Sequence, residues 1–397
     1  MKTTTFELTA RDPIVSRDGR PFGAGQGNRM RSVDWPLPSV IAGSLRTALG
    51  KGAGRSFSHE TANELLRVSV AGVFPTVDDR LYLPAPQDCV VHPKNGPLHA
   101  TPQEIEQGGG DWSHVKLQPV MLSQTTVDED FKPINAPAWW PVDRFTDWLL
   151  GTPFQFDRSF LQSPRQEDRT HASLLPQTGA ADEGQLFTTT GLALSHLERY
   201  GVTPVVDCVQ ERFAKIGLST RVQAEGWCAE YASGLSGHYP TGGERRLVHW
   251  QAIDNSTRWE CPDSIRSALQ NANHVRMALA TPAIFHDGWK PRWLNDDLIG
   301  SPPGSDVRLE LVGLTIQRWR AISGWSLARI NHQGQLDDQH GQPGPKPIRR
   351  SVPAGGIYFF KVIAETPASL ADCWLHSVSD HEQDQRDGFG LATWGIW

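Results

Sequence analysis

Apolar and polar positions alternate from the first residues. Thr3 to Leu8 set polar against β-favouring side chains with period two, the pattern of a half-buried strand. A glycine- and arginine-rich stretch follows, and after Pro36 and Pro38 the period changes. Val40, Ile41, Leu45, Ala48 and Leu49 recur at helical spacing, Ser39 stands where an N-cap is expected, and Gly50 and Gly52 end the run. The pattern predicts a second helix over Ser58 to Arg67, then strand-like segments in VSVAGVFP, RLYLP and DCVVHP. Lys94 to Asn135, rich in Gly, Pro, Gln and acidic residues, is too long for an internal connection and reads as an insertion. Trp139 to Gly151 reads as a short helix and Ser159 to Gly184 as a polar loop. QLFTTTGLAL then reads as a strand.

The alternation repeats in the second half. RRLVHWQAI and HVRMALATPAIF bracket a helix expected over Pro262 to Asn273. VRLELVGLTI and GIYFFKVIA precede one expected over Pro367 to Ser377, and the chain closes with GFGLATWGIW. Each half approximates β-α-β-β-α-β, the ferredoxin-like order, so the expected class is α+β with two tandem ferredoxin-like domains, 1–185 and 186–397. At 397 residues, two domains also suit the length. This order disfavours a helical bundle or a doubly wound sheet, and alone it gives no function.

Charge changes the picture of the first connection. Between Arg11 and Arg55 eight basic residues (Arg11, Arg17, Arg20, Arg29, Arg31, Arg46, Lys51, Arg55) face three acidic ones, about +5 in a chain of net charge −6, so the remainder carries about −11. A basic island on an acidic protein is either a solvated arginine-rich loop or an anion site that neutralises phosphates locally. Ser39, Gly43 and Arg46 share one face of the predicted helix. The missing side chain at Gly43 either lets a phosphate approach or lets the helix pack closely on a sheet, and a helix N-terminus there would favour an anion.

Other chemistry is thinner. The five cysteines, Cys89, Cys208, Cys228, Cys261 and Cys373, are odd in number and widely spaced, without a CxxC pair, and read as reduced thiols. Fourteen histidines include no HExxH, zinc array or nucleophile elbow. His59, His171 and His381 are individual candidates for acid or base chemistry. Asp380, Asp384 and Asp387 fit no metal-binding loop, and neither metal nor cofactor is expected. Gly388, Gly390 and Gly395, with Phe389, form a glycine-rich loop that either presents amides to a phosphate or packs tightly; it is neither a Walker loop nor a dinucleotide fingerprint. Fifteen tryptophans against five tyrosines are unusual; some could stack on bases, while most are expected in the core or at an interface. The start lacks the apolar run of a signal peptide and no stretch reaches membrane-spanning length, so a cytoplasmic chain with no membrane partner is expected.

Several segments in fixed order carry a resemblance over nearly the whole chain: RDGRPFG with PLPSVIAGSLRTALG, YLPAPQD, RTHASLL with EGQLF, GGERR, LATPAIFHDGW, SGWSL, VPAGGIYFF and terminal GFGLATWGIW. Together they resemble the Cmr-type member of the RAMP superfamily, the subunit that holds the crRNA 5′ handle in type III-B CRISPR effector complexes. The resemblance implies RRM-related domains and a non-catalytic RNA-binding role. It also implies docking beside the large polymerase-like subunit and the backbone subunits, with target RNA met only indirectly. It places Arg17, Arg20, Arg29, Arg31, Ser39, Gly43, Arg46, Arg169, His171, Arg245 and Arg246 near RNA. Gly388, Phe389, Gly390 and Gly395 become the superfamily's glycine-rich loop, for RNA contact or partner packing, and 94–135 becomes a thumb-like insertion suited to a partner. The alternative is a metal-independent crRNA-processing endoribonuclease of the same superfamily. It needs a histidine near the first helix, whereas His59 lies beyond that helix.

Overall fold

The alternation of Lys2–Ala10 becomes the strand on which the first sheet is built: Phe6, Leu8 and Ala10 are buried while the intervening side chains are less so. The computed structural model describes residues 1–18, 28–104, 116–123, 130–194, 196–200, 213–215, 217–254, 257–330 and 342–397. Strands dominate, and two antiparallel sheets carry most of them. The first has seven strands in the spatial order Ser236–Pro240, Leu247–Ile253, Lys2–Ala10, Gly217–Ala224, Ser69–Val77, Arg80–Pro84 and Trp139–Pro141. Helix α1 (Pro38–Gly52) connects Lys2–Ala10 to Ser69–Val77 and packs on the latter. Between them also lies α2 (His59–Leu66), and Val142–Leu149 forms α3. Helix α4 (Gly226–Gly234) packs on Lys2–Ala10 and Gly217–Ala224 and touches α1, so both connecting helices cover one face.

The second sheet has six strands in the order Ile299–Gly300, Arg308–Thr315, Ile357–Ala364, His274–Leu279, Leu391–Ile396 and His376–Ser377. Helix α5 (Asp263–Leu269) packs on Leu391–Ile396. Its first long connection, 280–307, holds no helix, because Pro282, Pro291, Pro302 and Pro303 interrupt any run of backbone donors. The helix expected over Pro367 to Ser377 is instead a 3₁₀ segment, Pro367–Cys373, whose buried Pro367, Leu370 and Cys373 recur every third residue.

Three expectations are corrected. The stretch 159–184, expected to be a loop, contributes Arg165–Leu174, which pairs as a hairpin with Ala181–Ala193; both faces of Arg165–Leu174 meet water, which erases the alternation that marks a strand. A second hairpin, Arg320–Ile330 with Gln342–Ser351, lay equally hidden. The seam expected at Leu186 falls inside Ala181–Ala193, and the first sheet continues to Ile253, so the sheets divide between 253 and 274. Of the expected insertion, Gly96–His99 pairs with Cys89–His92, and Thr101–Pro102 with Val120–Met121 lies against Arg308–Thr315.

One apolar cluster runs through both sheets. At its centre Asp88 accepts from Arg276 Nη1 at 2.7 Å and from Trp148 Nε1 at 2.8 Å, with both charged side chains at most 1% exposed. Burial pushes the Asp88 carboxyl up, against the pull of Arg276. His99, stacked on Trp148 at 3.4 Å, is pushed down to about 3 by burial and by Arg276, and is neutral. This buried pair ties the segment that follows Arg80–Pro84 to strand His274–Leu279 of the second sheet, since neither ion tolerates burial alone. Trp140, Trp148, Trp250, Trp259 and Trp394 are fully buried, whereas Trp289, Trp319 and Trp325 are exposed.

Candidate nucleic-acid interface

Helix α1 begins at Pro38, whose fixed φ suits the first helical position, and Leu37 is its N-cap in extended conformation without a side-chain bond. Ser39 therefore does not cap the helix. It lies in the first turn, and Ser39, Gly43 and Thr47, at spacing four, form a stripe of small side chains along one flank. Ile41, Leu45, Ala48 and Leu49 fill the core on the other flank. A Cβ built on Gly43 would meet nothing within 4 Å. Of its two possible roles, close packing on a sheet is therefore excluded, and the helix leaves open space there.

That space is a cleft of about 640 Å³. The stripe on α1 forms one wall and Val15, Arg17 and Asp18 another. The Gly242–Gly243 turn closes one side, and Ser323, Gly324, Trp325, Pro345 and Lys346 of the second hairpin overhang the other. Trp325 is 64% exposed, so its indole presents a bare face. Lys346 reaches the cleft from a position 3.5 Å from Asp387. A cation on a flexible stem, an exposed aromatic ring and a helix flank of small side chains match the parts of a single-strand binding groove: charge for the backbone and a platform for a base.

The other expected residues divide. Arg46 is not at this surface. Its side chain is 9% exposed, and the guanidinium pairs with Asp387, donates to Val68 O through Nε at 3.2 Å and Nη2 at 2.7 Å, and reaches Arg386 O at 3.2 Å. Burial would raise the Asp387 carboxyl, but the Arg46 and Lys346 charges and its hydrogen bonds hold it below the ordinary carboxylate range. Arg46 thus joins α1 to the end of the chain, with four of its five N–H groups engaged inside the protein.

Arg20 lies outside the described residues. Arg29 pairs with Asp168 on the first hairpin, and Arg169 with Glu167 at 2.6 Å. His171 bonds Thr189 Oγ1 at 2.9 Å and stacks on Phe187. The strand Asn28–Met30 adds to that hairpin in parallel, and the register sets Arg29 beside Thr188 but Arg169 opposite Thr189. These are adjacent positions along the strand and so opposite faces. Arg31 is exposed and has no side-chain partner among the described residues. Arg245, at φ 49°, lies at the exposed turn after Gly243, and Arg246, half-buried, follows it.

The glycine-rich loop is also corrected. Gly388, Phe389 and Gly390 are buried after the short helix α6 (Glu382–Arg386), and Phe389 packs with Leu37, Ile284 and Ile322. Gly388 has φ +88°, and a Cβ there would stand 2.4 Å from Val70 O; at Gly390, φ +71°, it would meet Ser379 Oγ at 2.4 Å. A Cβ at Gly395 would meet Leu149 at 2.6 Å. These glycines let the end of the chain press against the first sheet and α3, within the same molecule, and offer no surface to RNA.

Each of the three aspartates is engaged. Asp380 accepts from the amides of His286 and Arg292, Asp384 takes both Nη atoms of Arg349 at 2.7 and 2.8 Å, and Asp387 holds Arg46. Among the described residues no three metal-ligating side chains converge. His59 is the first residue of α2, whose N-cap Ser58 accepts from Thr61 N. The residues that reading the chain missed are Trp325 and Lys346. Trp325 carried a signal, an isolated tryptophan between small residues in SGWSL. Lys346, among prolines and glycines, carried none.

No curated protein matches the chain. Among solved structures it is similar to a chain of the type III-B Cmr-beta complex bound to cognate target RNA and AMPPNP, at 12% identity and TM-score 0.41, over 89% of this chain and 86% of that one. It is also similar to a chain of the Csm3–Csm4 subcomplex of the type III-A CRISPR-Cas interference complex, at 10% identity and TM-score 0.32, over 92% and 96%. The family model described as CRISPR-associated protein (Cas_Cmr3) matches residues 6–397, from the first central strand to the last residue. The chain belongs to the CRISPR-associated Cas_Cmr3 family.

Proposed function

We propose that this protein is the non-catalytic subunit of a type III-B CRISPR effector complex that holds the crRNA 5′ handle in the cleft beside α1. The observation that carries the reading is the open flank at Gly43, faced by Arg17, Lys346 and the exposed Trp325. Phosphates would pass along the small-residue flank while a splayed base stacks on the indole. The frame agrees with RRM-related, ferredoxin-like domains. In the first sheet the strands numbered by chain position lie in the order 4-1-3-2 (Leu247–Ile253, Lys2–Ala10, Gly217–Ala224, Ser69–Val77), and the second sheet repeats it with Leu391–Ile396, His274–Leu279, Ile357–Ala364 and Arg308–Thr315. The surfaces away from the cleft are left for the large polymerase-like subunit and the backbone subunits. Among the described residues no helix is long and apolar enough to cross a membrane.

Titration of labelled handle RNA at increasing salt tests the reading. With Arg17 and Lys346 each meeting one phosphate, log K falls against log salt with a slope of roughly −1.4, from about −0.7 per single-strand contact. A slope near zero, or equal affinity for RNA of scrambled sequence, refutes handle binding in the cleft. Precursor repeat RNA is expected to stay intact with the purified protein; site-specific cutting abolished by His59→Ala would establish the endoribonuclease instead.

A further inference from the structure

The outer strand of the first sheet, Ser236–Pro240, carries a second candidate site. His238 and His249 stand directly opposite each other across the pair it makes with Leu247–Ile253. Opposed residues in an antiparallel pair hold their Cβ atoms about 5 Å apart, and here the two imidazole rings lie with centroids 4.9 Å apart, tilted by 55°. His238 is exposed and His249 half-buried. Among the described residues neither ring makes a hydrogen bond or an ion pair, so each can offer one nitrogen lone pair to a ligand. The next pair on the same face is engaged, Ser236 Oγ donating to Gln251 Oε1 at 2.8 Å, which leaves the histidines as the unused polar pair of that face.

We propose that His238 and His249 chelate one late first-row divalent ion, with water completing its coordination. Imidazole nitrogen is the commonest protein ligand of these metals. Metal–nitrogen bonds of about 2 Å let two ligating nitrogens stand at most about 4 Å apart, within reach of rings whose centroids are 4.9 Å apart. Two neutral nitrogen donors rank Cu²⁺ above Ni²⁺ and Zn²⁺. Oxygen-preferring Mg²⁺ and Ca²⁺ are excluded by the same donor set. The ion would cross-link the edge strand to its neighbour. The edge strand ends at Pro240, whose carbonyl accepts from Ser44 Oγ of α1 at 2.8 Å, so the linked strands lead to the wall of the cleft.

The test uses the full chain without a histidine tag, titrated with Cu²⁺ and followed by electron paramagnetic resonance and by thermal denaturation. The expected result is one tight equivalent with a two-nitrogen spectrum and a rise in melting temperature, since a ligand bound only to the folded state stabilises it. His238→Ala should weaken that equivalent at least tenfold and abolish the rise, with the metal-free melting temperature unchanged because the side chain is exposed. His249→Ala should do the same to the metal. Wild-type copper affinity in both variants overturns the proposal, as does a spectrum that His238→Ala leaves unaltered.

Discussion

Replacing Arg46 by methionine separates the two roles that a buried arginine on α1 could have. The Arg46 side chain is 9% exposed and that of its partner Asp387 3%, so the substitution strands a carboxylate inside the protein. Removing one member of a buried pair costs about 3–5 kcal/mol. Here the loss should sit near the lower end, about 3 kcal/mol, because Lys346 at 3.5 Å and Gln383 Nε2 at 2.9 Å still approach Asp387. The carbonyls of Val68 and Arg386 lose their donors as well. Urea denaturation followed by circular dichroism should show the fall in midpoint. The double variant Arg46→Met, Asp387→Leu should recover most of it, because an apolar pair replaces a charged one at little net cost. An unchanged midpoint combined with weaker RNA binding would refute the reasoning and return Arg46 to the phosphate. The pair also fixes a pH dependence. The Asp387 carboxyl is held below its unfolded value, so its contribution is complete above the ordinary carboxylate range and is lost as pH falls through the depressed value. As pH falls through that value the wild type should therefore lose stability relative to the double variant, which has no carboxyl to protonate at this position.

Trp325→Ala should weaken handle RNA by about 1–3 kcal/mol, the range for one stacked base, and leave the denaturation midpoint unchanged because the ring is 64% exposed; an unchanged affinity would remove the indole from the interface. At Gly43, where a Cβ meets nothing, alanine should stabilise the helix by up to about 1 kcal/mol. Glutamate at the same position should abolish RNA binding by placing a carboxylate in the cleft, and retained binding would move the RNA elsewhere. Gly388→Ala should instead destabilise the protein, through a strained φ of +88° and a Cβ 2.4 Å from Val70 O; a native melting curve would show that the loop relaxes at no cost.

What could be read from the chain, and what could not, follows from the range of each interaction. Phe6 and Leu8, or Ile41, Leu45 and Leu49, announce their elements because burial on one face leaves a period within a few residues. Ser58 as the cap of α2 is local in the same sense. Arg46 is the opposite case. Its charge is visible, but the acid that neutralises it lies 341 residues away, so a count of charges credits to the surface an arginine that the interior has taken. The glycines of 388–395 fail for a related reason: a missing side chain records that something comes close, without saying whether it is a phosphate or the backbone of Val70. Gly43 is ambiguous in the same way and resolves in the other direction, since nothing of this chain comes near it. Arg165–Leu174 escapes because both its faces meet water, and a strand without an apolar face has no period to detect. The second hairpin then supplies the parts of the cleft that the basic stretch lacked, Trp325 as platform and Lys346 as cation, facing α1 from nearly three hundred residues further along the chain. The basic island and the cleft therefore overlap at Arg17 rather than coincide. A phosphate there meets the open flank of α1, while the arginine that looked best placed to hold it instead anchors that helix from behind.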